Sequence, residues 1–199
     1  MKKVLISIIL SVGLISAVQA GDMAAGKTKA ATCGACHGAD GNSLAPNFPK
    51  IAGQGERYLV KQITEIKNGD RQVPEMMGFV MGLSETDIAD IAAFYASQTA
   101  GGGAADPALV EAGKSIFLGG NEATGVPACI ACHGADGKGM AAAGFPRVAG
   151  QHAAYTEKQL KDFYNAKRTN DASNVMRDIA SRMHMDEIKA VSSYIQGLK

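Results

Sequence analysis

Apolar residues recur at intervals of three and four along much of the chain, which is the spacing of one face of an amphipathic helix. In the first half such a helix carries Leu59, Ile63 and Ile66, and it is predicted to end near Asn68-Gly69. No stretch alternates apolar and polar residues for long enough to predict a sheet. The pattern therefore predicts an all-α fold.

A later helix in the first half is predicted to open at Ser84-Glu85-Thr86-Asp87, which resembles a capping box. It carries Ile88 and Ile91 on one face. The second half repeats both helices, with apolar positions at Leu160, Phe163, Ile188, Val191 and Ile195, and its last helix is predicted to end at Gly197.

This repetition extends to residues that are not apolar, so the chain is an imperfect tandem duplication. Phe48-Pro49-Lys50-Ile51-Ala52-Gly53-Gln54 returns as Phe145-Pro146-Arg147-Val148-Ala149-Gly150-Gln151, and Tyr58, Gln62 and Arg71 return as Tyr155, Gln159 and Arg168. The largest insertion in the second copy falls within Leu118 to Pro127 and is predicted to form a surface loop. A Gly-rich linker at Gly101-Gly102-Gly103 joins two predicted domains, residues 21–100 and residues 101–199.

The first twenty residues have the organisation of a secretory signal peptide. Lys2 and Lys3 precede an apolar run from Val4 to Ile15, and Val18-Gln19-Ala20 supplies small residues at a cleavage site. Residues 1–20 are therefore predicted to be removed on export, which makes the mature protein periplasmic. The run is shorter than the roughly 20 residues of a membrane-spanning helix, although an uncleaved N-terminal anchor is an alternative.

Charge excludes one class of partner. Without residues 1–20 the chain carries 18 basic and 19 acidic residues, with a net charge of −2 in the first half and +1 in the second. Binding to nucleic acid requires a basic stripe or patch, and the sequence has none. We therefore expect no nucleic-acid partner.

All four cysteines lie in two copies of one short motif. Cys33-Gly34-Ala35-Cys36-His37 returns as Cys129-Ile130-Ala131-Cys132-His133. Two thiols about one helical turn apart can form thioethers with the two vinyl groups of one porphyrin, while the adjacent imidazole reaches the iron. C-x-x-C-H is the attachment signature of a c-type haem, so the sequence predicts two covalently bound haem c groups, with cofactor attachment through Cys33, Cys36, Cys129 and Cys132 and iron ligation by His37 and His133.

Other uses of the cysteines explain less of the sequence. A zinc site would have to join pairs that 93 residues separate, far more than in a zinc ribbon, and it would leave both adjacent histidines unexplained. A thioredoxin-like dithiol would need a βαβ unit, which the pattern does not predict.

The second axial position of each iron is open to methionine, histidine or no protein ligand. Several methionines precede the last helix of each half, and register separates them. When Ile88 is paired with Ile188, only Met76 and Met176 coincide. We therefore predict Met76 and Met176 as the remaining iron ligands, and expect Met183 to be core filler. Met77, Met81 and Met185 are also candidates for core filler. Ligation of an iron by His152 or His184 is a further alternative, although His184 is expected at a helix start.

With these motifs in place the whole mature chain resembles the cytochrome c4 family, which joins two class I cytochrome c lobes. The resemblance also rests on Ala45-Pro46-Asn47-Phe48-Pro49-Lys50, Gly53-Gln54-Gly55-Glu56-Arg57-Tyr58-Leu59, Gly150-Gln151-His152-Ala153-Ala154-Tyr155, Arg168-Thr169-Asn170-Asp171 and Ser193-Tyr194-Ile195-Gln196-Gly197. It implies two lobes related by approximate twofold symmetry, with haem propionates facing the interface. It also implies a proline carbonyl that orients each proximal histidine, expected at Pro46 in the first lobe and replaced at Ala143 in the second.

The resemblance further implies an electron carrier of the respiratory chain, with a respiratory donor and a terminal oxidase as redox partners and a peripheral association with the membrane as a further expectation. We expect distinct reduction potentials, because the lobes differ in loops and charge. Two alternatives remain: a two-haem peroxidase-like enzyme, which would need an open iron and a distal acid or base, and a haem docking subunit of a larger redox complex.

Overall fold

A computed structural model describes residues 21–199 of the protein. The signal peptide predicted for residues 1–20 lies outside the described residues. The described part is helical, and its only extended pairings are isolated bridges from Asn121 to Val126 and from Met140 to Phe145. The all-α prediction is confirmed.

Each lobe has five α-helices in the same order along the described chain. In the first lobe they are α1 Met23–Lys29, α2 Gly34–His37, α3 Glu56–Asn68, α4 Pro74–Val80 and α5 Glu85–Ala96. In the second they are α6 Val110–Gly119, α7 Ile130–His133, α8 Ala153–Tyr164, α9 Val175–Ala180 and α10 Met185–Gly197. Short 3-10 turns lie at Ala30–Thr32, Pro107–Leu109, Ala141–Ala143 and Ala172–Asn174.

The predicted helix ends follow from local chemistry. Helix α3 stops at Gly69, whose φ of 85° is a left-handed conformation that glycine adopts without a steric penalty. At the start of α5 the backbone N–H of Asp87 donates to Ser84 Oγ over 3.1 Å, and the Ser84 N–H donates to Asp87 Oδ2 over 2.8 Å, which completes the capping box. His184 precedes α10, a helix start as expected.

A glycine allows the first and last helices of each lobe to cross in close contact. A Cβ atom on Gly26 would lie 1.9 Å from the carbonyl oxygen of Asp90, and one on Gly113 would lie 2.2 Å from that of Ala190. Both distances are far below van der Waals contact. The glycines therefore set how closely α1 approaches α5 and α6 approaches α10.

Each lobe has its own apolar core beside its C-x-x-C-H helix. The first contains Ala30, Leu59, Ile91, Ala92, Phe94 and Tyr95, with Cys33 packed against it. The second contains Ile116, Phe117, Val126, Met183, Ile188, Val191 and Ile195, with Cys129 packed against it. The insertion loop predicted at the surface is exposed at Glu122 and Ala123, but Val126 returns to the core and is only 3% exposed.

Within residues 21–199, no helix combines the length and the apolar character that crossing a membrane requires.

Candidate haem-binding sites

The two C-x-x-C-H motifs occupy short helices of equal length, α2 and α7. Cys33 and Cys129 precede these helices in helical conformation, so the cysteines three residues later lie on the same helical face. None of the four cysteines forms a disulfide with another. The arrangement leaves both sulfurs of each motif on one side, next to the histidine that ends the helix.

Both histidines are oriented by a proline carbonyl. His37 Nδ1 lies 2.9 Å from the carbonyl oxygen of Pro49, and His133 Nδ1 lies 2.9 Å from that of Pro146. Because a carbonyl oxygen can only accept, Nδ1 carries the proton and donates. The other ring nitrogen, Nε2, is left with a free lone pair, which is the form that binds a metal. Burial lowers the pKa of both imidazoles and favours this neutral form.

The expectation that Pro46 supplies this carbonyl, with Ala143 in its place in the second lobe, is wrong. Pro46 is exposed, and it is Pro49 that reaches the histidine because the chain folds back after the motif. The carbonyl oxygen of Gly41 accepts from the N–H groups of Ile51 and Ala52 over 2.8 and 3.1 Å, which closes the loop. Gly137 closes the same loop in the second lobe with Val148 and Ala149.

The chain itself contained the signal for this correction. Pro49 and Pro146 stand at equivalent places in the repeated Phe-Pro-Lys/Arg segment, whereas Pro46 has no proline counterpart. An orienting contact made in both lobes should come from a residue present in both copies.

The surroundings of the cysteines fit an uncharged thioether better than a thiolate. Burial raises the pKa of the Cys129 thiol to about 11, and it also raises that of Cys33. A thioether bears no charge at any pH, so it suits the same apolar contact. Among residues 21–199, no three His, Cys, Asp or Glu side chains are grouped closely enough to hold a metal ion. The two sulfurs and one imidazole of each motif fit a porphyrin held by two thioethers and one nitrogen.

Met76 and Met176 occupy equivalent places in the two lobes. Met76 lies in the first turn of α4 and Met176 in the first turn of α9, and both are half-buried. Each helix ends in a buried residue, Val80 and Ala180, four positions later. The register inferred from sequence is thus kept by the helices themselves, and the assignment of both methionines as ligands stays a prediction.

Met77 follows Met76 in α4 and is also half-buried, whereas the other competing side chains lie elsewhere. Met183 is 4% exposed inside the second core, as expected of core filler, and Leu83 packs against the first core at the equivalent place. Met81 and Met185 are 56% and 44% exposed. His152 does not act within its own lobe: its Nε2 lies 2.8 Å from the carbonyl oxygen of Ser43 in the first lobe.

The repeated glutamines connect the two lobes in a reciprocal way. Gln54 Oε1 accepts from the backbone N–H of Arg147 over 2.8 Å, and its Nε2 donates to the Arg147 carbonyl over 2.9 Å. Gln151 makes the same two bonds to Lys50, at 2.9 and 2.8 Å. Each side-chain amide therefore holds the backbone of the opposite lobe, in the manner of a residue in a sheet ladder.

A second symmetric network lies between α3 and α8. It consists of Tyr58, Gln62, Arg71, Tyr155, Gln159 and Arg168, the residues that the duplication repeats. Arg71 donates to Tyr155 OH over 2.9 Å, and Arg168 donates to Tyr58 OH over 3.2 Å. Burial raises the pKa of Tyr58, but the neighbouring guanidinium groups outweigh it and hold that pKa below its ordinary value. The motifs in the sequence predict no role for these residues, although their repetition singles them out.

Known proteins resemble the chain along its whole length. The family model described as cytochrome c matches residues 23–99 and 110–199. Cytochrome c4 of Pseudomonas aeruginosa is 56% identical over 200 residues, which cover all of both chains. The thiosulfate dehydrogenase electron acceptor of Thiomonas intermedia is 34% identical over 86% of this chain and 81% of its own. A crystal structure of reduced recombinant cytochrome c4 from Pseudomonas stutzeri superposes with a TM-score of 0.88 and 53% identity, covering 90% of this chain and all of the other.

Proposed function

The chain belongs to the cytochrome c4 family of two-haem electron-transfer proteins, and on that basis we propose that it relays single electrons in the periplasm from a respiratory donor to a terminal oxidase. The observation that carries the proposal is the repeated histidine-to-proline contact, 2.9 Å in both lobes, within a chain that matches its relatives from end to end. A bound haem c supplies a one-electron centre that alternates between Fe(III) and Fe(II).

The protein's own residues support this role by limiting how far the haem-binding site rearranges when the iron changes oxidation state. The carbonyls of Pro49 and Pro146 hold each imidazole in one tautomer and one orientation. Cys33 and Cys129 pack against the two apolar cores, so each core holds one end of its motif. Electron transfer is fast when the site rearranges little between oxidation states, so a fixed histidine favours a carrier over a catalyst.

The proposal is tested with the purified mature protein. Reduced protein is mixed with membrane vesicles that contain a terminal oxidase, and oxygen uptake is measured as its concentration rises. We expect saturable uptake that stops when the protein is omitted. Failure to be oxidised by such membranes, or turnover of hydrogen peroxide without them, would contradict an electron-carrying role.

We further propose that Met76 and Met176 complete the coordination of the first and second irons. Their equivalent positions at the starts of α4 and α9, and their half-buried side chains, support this. A thioether ligand favours Fe(II) and raises the reduction potential, which suits a carrier that feeds an oxidase.

The methionines are tested by replacing each with alanine. Met76→Ala should remove the methionine-to-iron charge-transfer band of one haem and lower one of two reduction potentials, while Met176→Ala should do the same to the other. Met81→Ala is the matched control, because Met81 directly follows α4, the helix that contains Met76, but is 56% exposed. An unaltered spectrum in either ligand variant would rule out that assignment.

A second candidate donor is a dehydrogenase that oxidises an inorganic sulfur compound. The relative from Thiomonas intermedia, named as the electron acceptor of thiosulfate dehydrogenase, matches 86% of this chain. Reduction of the oxidised protein by thiosulfate and such a dehydrogenase, at a rate comparable to that of a respiratory donor, would favour this source of electrons.

A further inference from the structure

The glutamine contacts between the lobes meet the histidine contacts at one peptide group. His133 Nδ1 donates to the carbonyl oxygen of Pro146, and the N–H of that same peptide belongs to Arg147. That N–H donates to Gln54 Oε1 in the other lobe, over 2.8 Å. A hydrogen-bonded chain thus runs from the proximal histidine of the second lobe, through a single peptide, to a glutamine of the first.

The reciprocal chain has the same form. His37 Nδ1 donates to the carbonyl oxygen of Pro49, and the N–H of this peptide, on Lys50, donates to Gln151 Oε1 over 2.9 Å. Each proximal histidine is therefore connected, through one peptide of its own lobe, to a glutamine of the opposite lobe.

Each glutamine is held rigidly enough to act on that peptide. The N–H of Gly53, one residue before Gln54, donates to the Tyr95 carbonyl oxygen near the end of α5 over 2.9 Å. The N–H of Gly150 donates to Ile195 in α10 over 3.0 Å. Gln54 is itself 7% exposed, so water does not compete strongly for its amide. The backbone of each glutamine is thus fixed by the core of its own lobe, while its side chain acts on the other.

We propose that Gln54 tunes the iron of the second lobe and Gln151 that of the first, each as a positioning residue that acts through the peptide preceding Arg147 or Lys50. An amide whose N–H donates a hydrogen bond has a more polarised carbonyl, because bonded groups in a chain strengthen one another. A stronger acceptor at Nδ1 makes the imidazole a more basic ligand. A more basic ligand stabilises Fe(III), so each glutamine lowers the reduction potential of the opposite haem.

The inference rests on the proposed haem ligation by His37 and His133, but it goes beyond electron carriage. It makes the docking of the lobes a determinant of both potentials. If the glutamines only held the lobes together, their hydrogen bonds would not need to fall on the peptides that accept from the histidines. The Tyr-Gln-Arg network between α3 and α8 already joins the lobes.

The test uses the full two-haem protein and reads each haem separately. Gln54→Met and Gln151→Met keep the side-chain length and remove the amide. The two potentials are measured by spectroelectrochemistry and assigned to lobes by NMR of the haem methyl groups. Gln54→Met should raise the potential of the second haem alone, and Gln151→Met that of the first alone. We expect a shift of roughly two- to tenfold in the ratio of Fe(II) to Fe(III), where tenfold corresponds to about 59 mV for one electron.

Two further variants separate tuning from docking. Gln62→Met removes an interface amide that accepts from Arg71, Arg168 and Asn170 but contacts neither of the peptides that accept from the histidines. It should not raise the potential of the haem in the opposite lobe. Gln54→Glu retains an acceptor for the Arg147 N–H and should not raise the potential of the second haem.

A readout independent of redox potential is the proton NMR resonance of His133 Nδ1–H, which Gln54→Met should move and Gln62→Met should not. A shift in the glutamine's own lobe, an equal shift in both haems, or unchanged potentials with an unmoved His133 resonance would overturn the inference. If, in any of these cases, the protein still carries two haems and reduces an oxidase, its electron-carrying function is intact. Failure of the tuning inference is therefore distinguishable from failure of the proposed function.

Discussion

The close crossing of α6 and α10 at Gly113 leads to a quantitative prediction. In Gly113→Ala the new Cβ would lie 2.2 Å from the Ala190 carbonyl oxygen and 2.6 Å from the Tyr194 Cβ. An ordinary contact needs about 3.4 Å or more, so the two helices must separate by about 1 Å at this point. The obstacle is backbone, which cannot swing aside as a flexible side chain would.

The magnitude follows from two opposing effects. Overpacking of this kind costs about 1–3 kcal/mol, while alanine gains up to about 1 kcal/mol over glycine within a helix. We therefore expect Gly113→Ala to lower the free energy of unfolding by about 1–2 kcal/mol. Gly119→Ala is the matched control in the same helix, because a Cβ there meets no atom within 4 Å. It should be neutral or stabilising by up to about 1 kcal/mol.

The assay is equilibrium unfolding of the haem-loaded protein in guanidinium chloride, followed by helical circular dichroism and by haem absorbance. Because each lobe has its own core, the transition of the second lobe should shift in Gly113→Ala, and the equivalent variant Gly26→Ala should shift that of the first. Equal unfolding midpoints for Gly113→Ala and Gly119→Ala would refute the reasoning, since only the methyl group at Gly113 meets the backbone of α10.

Three further predictions concern the core, the lobe interface and acid stability. Phe117→Ala, at a side chain with 0% exposure, should cost about 3–5 kcal/mol of unfolding free energy; a loss below 1 kcal/mol would contradict the packing described. Arg168→Leu removes a charged donor from Tyr58 OH and should weaken lobe docking by about 1.5–3 kcal/mol, seen as faster proteolysis of the linker, whereas an unchanged cleavage rate would argue against this role. The Lys29 ammonium, foremost, and then Ser84 hold the pKa of Asp87 below its usual range. The stability from this ionised carboxylate is fully present well above the unfolded-state pKa of about 3.9 and decreases as pH falls toward the folded-state pKa. Asp87→Asn should therefore destabilise the protein more at pH 7 than near pH 2, and a pH-independent difference would speak against it.

The sequence alone identified what is local or repeated. The C-x-x-C-H spacing predicted both haem sites because the chemistry of attachment needs only five consecutive residues. The capping box at Ser84 and the end of α3 at Gly69 were predictable because helix termini are decided by neighbouring residues. The duplication located the equivalent methionines, since register along a helix survives when loops change length.

Contacts made by chain folding were decided only in three dimensions. The carbonyl that orients His37 belongs to Pro49 and not to Pro46, because the loop closed at Gly41 determines which proline turns back to the imidazole. The nine-residue insertion similarly returns Val126 to the core, which its turn-rich composition did not indicate.

Gln54 and Gln151 show most clearly what the sequence determines and what the tertiary structure adds. The sequence by itself determined that Gln54 and Gln151 are equivalent, that each follows a glycine, and that each lobe has a cysteine-bound haem site. Only the tertiary structure decided that each glutamine binds a peptide of the opposite lobe, and that the carbonyl of this same peptide accepts from the proximal histidine of that lobe. The physical reason is that a hydrogen bond depends on the distance and direction between two groups. Here the groups lie about a hundred residues apart in the chain, and only the packing of two folded cores brings them together.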